Sequence, residues 1–181
     1  MRKRMLLALL GVGLIAAGAA LWSQLRSKAS SLGGGFVAVD HVADGDTIVL
    51  RGNVTVRLVQ IDTPEVYFHP ECFGEQASEE TKRLLHRGTL VRLAREPATS
   101  STDTYGRLLR YVIRQDGLNV NLRLVADGAA APYFFDGAHG IYATTITRAA
   151  RKARAADRGL WGACPGTRLE PTEGVASGPA S

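Results

Sequence analysis

Val54-Thr-Val-Arg-Leu-Val-Gln-Ile61 runs directly into Asp62-Thr-Pro-Glu65. The first eight residues alternate. Val54, Val56, Leu58 and Gln60 fall on one face, and Arg57, Val59 and Ile61 fall on the other. A period of two marks a strand with one buried face. Pro64 then stiffens the chain. Two carboxylates, Asp62 and Glu65, therefore stand at a strand end, downstream of an arginine within the strand.

Working outward, Phe36–Val42 also alternates, Asp44-Gly45 marks a tight turn, and Thr47–Leu50 continues as a strand. Arg51-Gly-Asn53 is a second turn, so the first three strands read as an up-and-down meander. Downstream, residues 74–87 carry Ala77, Thr81, Leu84 and Leu85 at helical spacing, closed by Gly88. Residues 89–95 predict a fourth strand and residues 107–114 a fifth, with a polar loop between them. Residues 118–126 predict a short helix, and residues 141–157 a last helix ending before Gly159. Five strands with a helix between the third and fourth predict an α+β chain: a five-stranded OB-fold β-barrel with three helices. Fold alone does not assign function.

The flanks differ from this body. Residues 1–26 hold a basic start (Arg2, Lys3, Arg4) and an unbroken apolar run from Met5 to Trp22. They read as a signal peptide or an N-terminal membrane anchor, and the length of the run favours the tether. Either reading predicts export. The protein would face outside the cytoplasm on its anchor, or be secreted after cleavage near Ala20. Residues 27–35 are a flexible linker by composition. Residues 36–164 are the folded domain, and residues 165–181, rich in Gly, Pro, Ser and Thr, predict a flexible tail. The net charge of +5 arises before residue 31, where five basic residues meet no acid. The rest balances 17 basic against 17 acidic residues. Overall charge is thus no argument for a nucleic-acid partner, and only a local patch can be one. Arg83, Arg87, Arg92, Arg95, Arg107, Arg110 and Arg114 are candidates for such a rim.

Three clusters carry chemistry: Asp44-Gly-Asp-Thr47, Arg57 with Asp62-Thr-Pro-Glu65, and Asp103-Thr-Tyr-Gly-Arg107. Phosphodiester hydrolysis needs a hard cation, which takes oxygen ligands. It needs a group that orients or deprotonates water, and planar guanidinium groups suit the charged phosphorus centre. Asp46 and Asp62 can supply the carboxylates, Glu65 the base, and Arg57 and Arg107 the guanidinium pair. Each piece alone is common; their order on a five-strand pattern is not.

These pieces, with Arg158-Gly-Leu-Trp161, resemble the ordered motifs of the staphylococcal nuclease family over residues 36–161. The resemblance implies calcium bound by Asp46, Asp62 and the backbone carbonyl of Thr63. It implies Glu65 as general base, with Arg57 and Arg107 on the phosphate. Cleavage would break the 5′-oxygen–phosphorus bond and leave 3′-phosphates. The implied partner is DNA, RNA or both, single-stranded by preference, acted on by a monomer. Tyr105 and Tyr133 are the candidate substrate contacts, the latter within the aromatic run Tyr133-Phe-Phe135. Thr104 stands where the founding member has a phosphate-holding lysine. The rival reading is a non-catalytic nucleic-acid- or protein-binding module of the cell envelope; the full set of acids and arginines counts against it. Finally, Cys72 precedes the first helix and Cys164 follows the last. In an oxidising compartment such a pair predicts a disulfide.

Overall fold

Val37–Val42 (β1), Thr47–Leu50 (β2) and Val54–Leu58 (β3) form the antiparallel meander. The computed structural model describes residues 34–170 and 174–180, nearly all within the unit Phe36–Ser181. The expected signal peptide or anchor and most of the linker lie outside the described residues. Among the described residues, no helix is long and apolar enough to cross a membrane.

The third strand is shorter than its alternation predicts. It ends at Leu58 because Gln60 takes a left-handed backbone (φ 64). Val59 and Gln60 turn the chain out of the barrel, and Ile61–Asp62 (β4) follows as a separate short strand. The polar residue that the alternation placed at the strand's end is thus the kink. The Gln60 side chain is buried, where it receives Tyr111 Oη (3.1 Å) and donates to the Ala138 carbonyl (2.6 Å).

Gly74–Leu84 (α1) comes next, then Leu90–Arg95 (β5), Leu108–Arg114 (β6) and Val120–Asp127 (α2). Helix α1 stops short of residue 87, and Gly88, in left-handed conformation (φ 88), begins the turn into β5 rather than capping the helix. Asn119 caps α2 by accepting the Leu122 N–H, and Gly128 closes it. Strand β6 lies parallel to β3 and antiparallel to β5, and β5 pairs with β1. The five strands therefore close in the order β1-β2-β3-β6-β5. The expected α+β barrel is present. Its core is Val39, Ile48, Leu50, Val56, Leu58, Val91 and Tyr111, roofed by Leu85, Leu124 and Ile146 from the helical side.

Ala131–Pro132 (β7) pairs with β4. Ala143–Ala155 (α3) packs on α2, and a one-turn helix, Leu160–Ala163 (α4), follows Gly159. The predicted disulfide joins Cys72 to Cys164, with Cα atoms 6.0 Å apart.

The C-terminal residues depart from the expected flexible tail. Arg168–Glu170 (β8) and Gly174–Ala176 (β9) pair as an antiparallel hairpin. Val175 is buried in a second small core with Ala131, Ala153, Leu160 and Trp161. Beyond it, the Cys72 N–H donates to the Gly178 carbonyl and the Ala180 N–H to that of Pro70. Composition argued for a loose tail; one buried valine and a set of backbone hydrogen bonds order residues 174–180 instead.

Candidate active site

The barrel register gathers the candidate residues at one end. Thr47, first in β2, lies opposite Arg57 of β3, and Arg57 lies opposite Leu109 of β6, close to Arg107. The kink at Gln60 brings β4 back, so Asp62 meets Arg57 from above the barrel edge. The Arg57 Nη2 donates to Asp62 Oδ1 at 2.6 Å, and Nη1 lies 2.8 Å from Asp46 Oδ2. Nη1 also donates to the carbonyls of Leu58 (3.2 Å) and Ile61 (3.0 Å). One largely buried guanidinium thus bridges two carboxylates whose side chains are only 8% and 16% exposed.

Asp46 is held by more than this pair. Its Oδ2 accepts the Thr63 N–H (3.0 Å) and Oγ1 (3.1 Å), and its own N–H donates to Asp44 Oδ1 (3.1 Å). Gly45 makes this approach possible: a Cβ there would lie 2.4 Å from Thr63 Oγ1. Helix α1 secures the turn, because Thr81 Oγ1 donates to the Gly45 carbonyl at 2.5 Å.

Arg107 enters from the start of β6. Its Nε donates to Asp103 Oδ2 (2.6 Å) and its N–H to Asp103 Oδ1 (2.9 Å). Its Nη1 donates to Thr47 Oγ1 (3.4 Å), and that hydroxyl donates to Asp46 Oδ1 (3.3 Å). Arg107 therefore reaches the carboxylates through Thr47. Tyr105 is exposed, with the Arg107 guanidinium 5.4 Å from its ring centre, a cation–π distance. Glu65 lies at the rim, where its N–H donates to Glu71 Oε2 (3.0 Å) and its carbonyl accepts the Glu71 N–H (2.9 Å). Tyr133 is placed by its N–H, which donates to the Gln60 carbonyl (3.1 Å). Of its neighbours, Phe134 packs on the core and Phe135 is exposed.

The electrostatics are those of too much negative charge around one cation. Burial, offset in part by Arg57 and reinforced by Asp62 and Asp44, pushes Asp46 up to about 7. Burial raises Asp62 as well, with Arg57 pulling it back. Partial burial and then the charges of Asp62 and Asp44 raise Glu65. Burial works against the charge of Arg57, yet Asp46 and Asp62 outweigh it and its pKa is raised. Burial and then the charge of Asp62 raise the Tyr133 hydroxyl. Carboxylates this reluctant to ionise gain from a further positive charge.

The donor chemistry fits a hard cation. Asp46, Asp62 and the Thr63 carbonyl offer only oxygen, the preference of calcium rather than zinc. Among the described residues, no group of three or more His, Cys, Asp or Glu side chains is arranged to hold a metal. A two-carboxylate set leaves the rest of the shell to a carbonyl and water.

The candidate residues of the sequence converge here, while four arginines of the expected rim are engaged with local partners. Arg83 pairs with Glu80, Arg87 with Asp40 and Arg114 with Asp116, and Arg110 donates to the Ser101 carbonyl. Each is engaged locally. Sequence reasoning missed three contributors: Glu71 at the Glu65 backbone, Gln60 at the kink, and Val175, whose N–H donates to Asp62 Oδ2 at 2.9 Å. A lone polar residue interrupting an apolar strand was the available signal for Gln60. Nothing in the sequence marked Val175.

Comparison with known proteins finds relatives by sequence. A family model described as staphylococcal nuclease homologue matches residues 55–163. Endonuclease YhcR of Bacillus subtilis (strain 168) is 40% identical over 108 residues, 53% of this chain and 9% of that protein. The SPbeta prophage-derived endonuclease YokF of the same organism is 34% identical over 131 residues, 69% of this chain and 43% of that protein. The thermonuclease of Staphylococcus intermedius is 29% identical over 143 residues, 75% of this chain and 82% of that protein. The chain spans less than half the length of these Bacillus relatives.

Proposed function

The chain belongs to the family of staphylococcal nuclease homologues, and on that premise we propose that it is a calcium-dependent nuclease. Its substrate is DNA, RNA or both, with unpaired strands preferred. One observation carries this reading: buried Asp46 and partly buried Asp62 converge on Arg57, with Glu65 and Arg107 at the same barrel end. The names of the relatives, two endonucleases and a thermonuclease, support it.

Asp46, Asp62 and the Thr63 carbonyl would hold the cation, and the chemistry it would supply is neutralisation of phosphate charge. Glu65, whose pKa partial burial raises from its ordinary value, accepts a proton from the attacking water. Water oxygen bonds to phosphorus as the bond to the 5′-oxygen breaks, and the departing 5′-oxygen takes a proton from solvent, leaving a 3′-phosphate and a 5′-hydroxyl. Arg107, steered by Asp103 and Thr47, stabilises charge on the phosphoryl oxygens. Arg57 keeps both carboxylates in register and adds its own charge beneath the phosphate. Tyr105, beside Arg107, and Tyr133, beside Gln60, are the substrate contacts.

The protein acts outside the cytoplasm, secreted or tethered through Met5–Trp22. The apolar run and the Cys72–Cys164 disulfide support that destination. End-group analysis of digests of denatured DNA and of RNA tests the chemistry. The reading expects 3′-phosphate termini; 5′-phosphate termini would contradict it.

A further inference from the structure

The hairpin that replaces the expected tail touches the site itself. Asp62 is gripped at both oxygens: Oδ1 by Arg57 at 2.6 Å and Oδ2 by the Val175 N–H at 2.9 Å. Gly174 lies so close that a Cβ on it would fall 2.2 Å from Asp62 Oδ2, and its φ of +96 also selects glycine. This contact is not a loose end resting on the surface. The Val175 side chain is buried with Ala131, Leu160 and Trp161. Ser177 Oγ donates to the Cys72 carbonyl at 2.7 Å, and the Cys72 N–H donates to the Gly178 carbonyl at 2.8 Å. The strap is therefore rooted at Cys164 by the disulfide, pinned at residues 177–180 along residues 70–72, and pressed onto Asp62 between those points.

We propose that Gly174–Val175 is a positioning element of the active site, whose backbone fixes the Asp62 carboxylate in the orientation that receives the cation. This rests on the reading of Asp62 as a calcium ligand. The physics is that of an outer partner on a metal-binding carboxylate. An ionised carboxylate has about four lone-pair sites on its two oxygens. One N–H bond on each oxygen stops its rotation and still leaves lone pairs for a cation. Partners of this kind typically change metal affinity by about 10–100-fold. Barrel, acids and arginines all precede residue 165, so the site is complete in composition without the strap but not in orientation.

Calcium titration by calorimetry, with no nucleic acid present, tests the proposal on the full chain. Val175→Pro deletes the N–H. Val175→Ala keeps it while losing the buried side chain, and so measures what loss of packing alone does. The expected result is a calcium Kd about tenfold or more weaker for Val175→Pro, and a smaller change for Val175→Ala, which keeps the N–H and loses only packing. Gly174→Ala, which forces Asp62 aside, is expected to weaken binding as Val175→Pro does and carries the test if Val175→Pro does not fold. Calcium binding by Val175→Pro that equals or exceeds that of Val175→Ala overturns the proposal. Wild-type protein that binds no calcium overturns the underlying reading of Asp62 and the proposal with it, so the two failures are distinguishable.

Discussion

Replacing both Cys72 and Cys164 with alanine tests how the fold is held closed. The two residues are 92 apart in sequence. A cross-link over a loop of that length removes closure entropy from the unfolded chain worth roughly 4.6 kcal/mol at room temperature. Most domains have only about 5–15 kcal/mol of stability in total, so the bond accounts for a large share. Little of the effect belongs to the folded side, because strap, α1 and α4 keep their other contacts. The Cys72 N–H still meets the Gly178 carbonyl, and Leu160 and Trp161 still pack on Ala131 and Val175. The assay is urea unfolding of oxidised wild type and the double variant. With a slope of about 2 kcal/mol per molar, the variant's midpoint should fall by roughly 2 M. The slope should rise somewhat, since the uncrosslinked chain expands more. A loss below about 1 kcal/mol at unchanged slope would refute the entropic argument.

The other predictions concern chemistry. Glu65→Gln should lower turnover by about 10²–10⁴-fold while leaving calcium affinity unchanged, since Glu65 acts on water and not on the cation; a near-normal rate would remove it as the base. Arg107→Ala should be similarly damaging, and Arg107→Lys should rescue little, because an ammonium cannot hold Asp103 and Thr47 while meeting a phosphate; full rescue in steady-state rates would show that charge alone suffices. The raised Asp46 pKa, about 7 in the fold against 3.8 for the free group, sets two pH dependences. The metal-free fold binds more protons than the unfolded chain in this window, so its stability should fall as pH rises from near 4 towards 7; Asp46→Asn should flatten that slope in melts with chelator. Calcium must displace the same proton, so its affinity should weaken as pH falls below about 7; a pH-independent Kd between pH 5 and 8 would contradict the assignment.

The barrel was legible because Val39, Val56 and Leu58 are buried while the polar strand positions Asp40, Thr55 and Arg57 beside them are only partly so, and because turn residues punctuate each strand. The disulfide was legible because Cys72 and Cys164 bracket the helices that cover one barrel. The site was legible as residue types: Asp46, Asp62, Glu65, Arg57 and Arg107 stand at turns and strand ends, and the register brings them together. Its support was not. Gln60 reads as one more strand position, whereas the fold spends it on a left-handed kink that swings Asp62 over Arg57. Glu96 reads as loop, yet it is buried, receiving Tyr111 Oη and the N–H groups of Ala98 and Ile141, and so fixes the segment after Tyr133. Residues 174–180 carry almost no apolar signal. Their order comes from backbone hydrogen bonds to residues 70–72 and to Asp62, and backbone groups are the same in every sequence.

The most direct measurement is the rate of cleavage of denatured DNA by the full chain at pH 8, with calcium, after chelation, and after calcium is restored. If Asp46 and Asp62 hold the cation that makes Arg57, Arg107 and Glu65 a nuclease site, cleavage is seen with calcium, vanishes with chelator and returns when calcium does. Cleavage that persists in chelator, or a folded protein that leaves DNA and RNA intact with calcium saturating, would contradict the account.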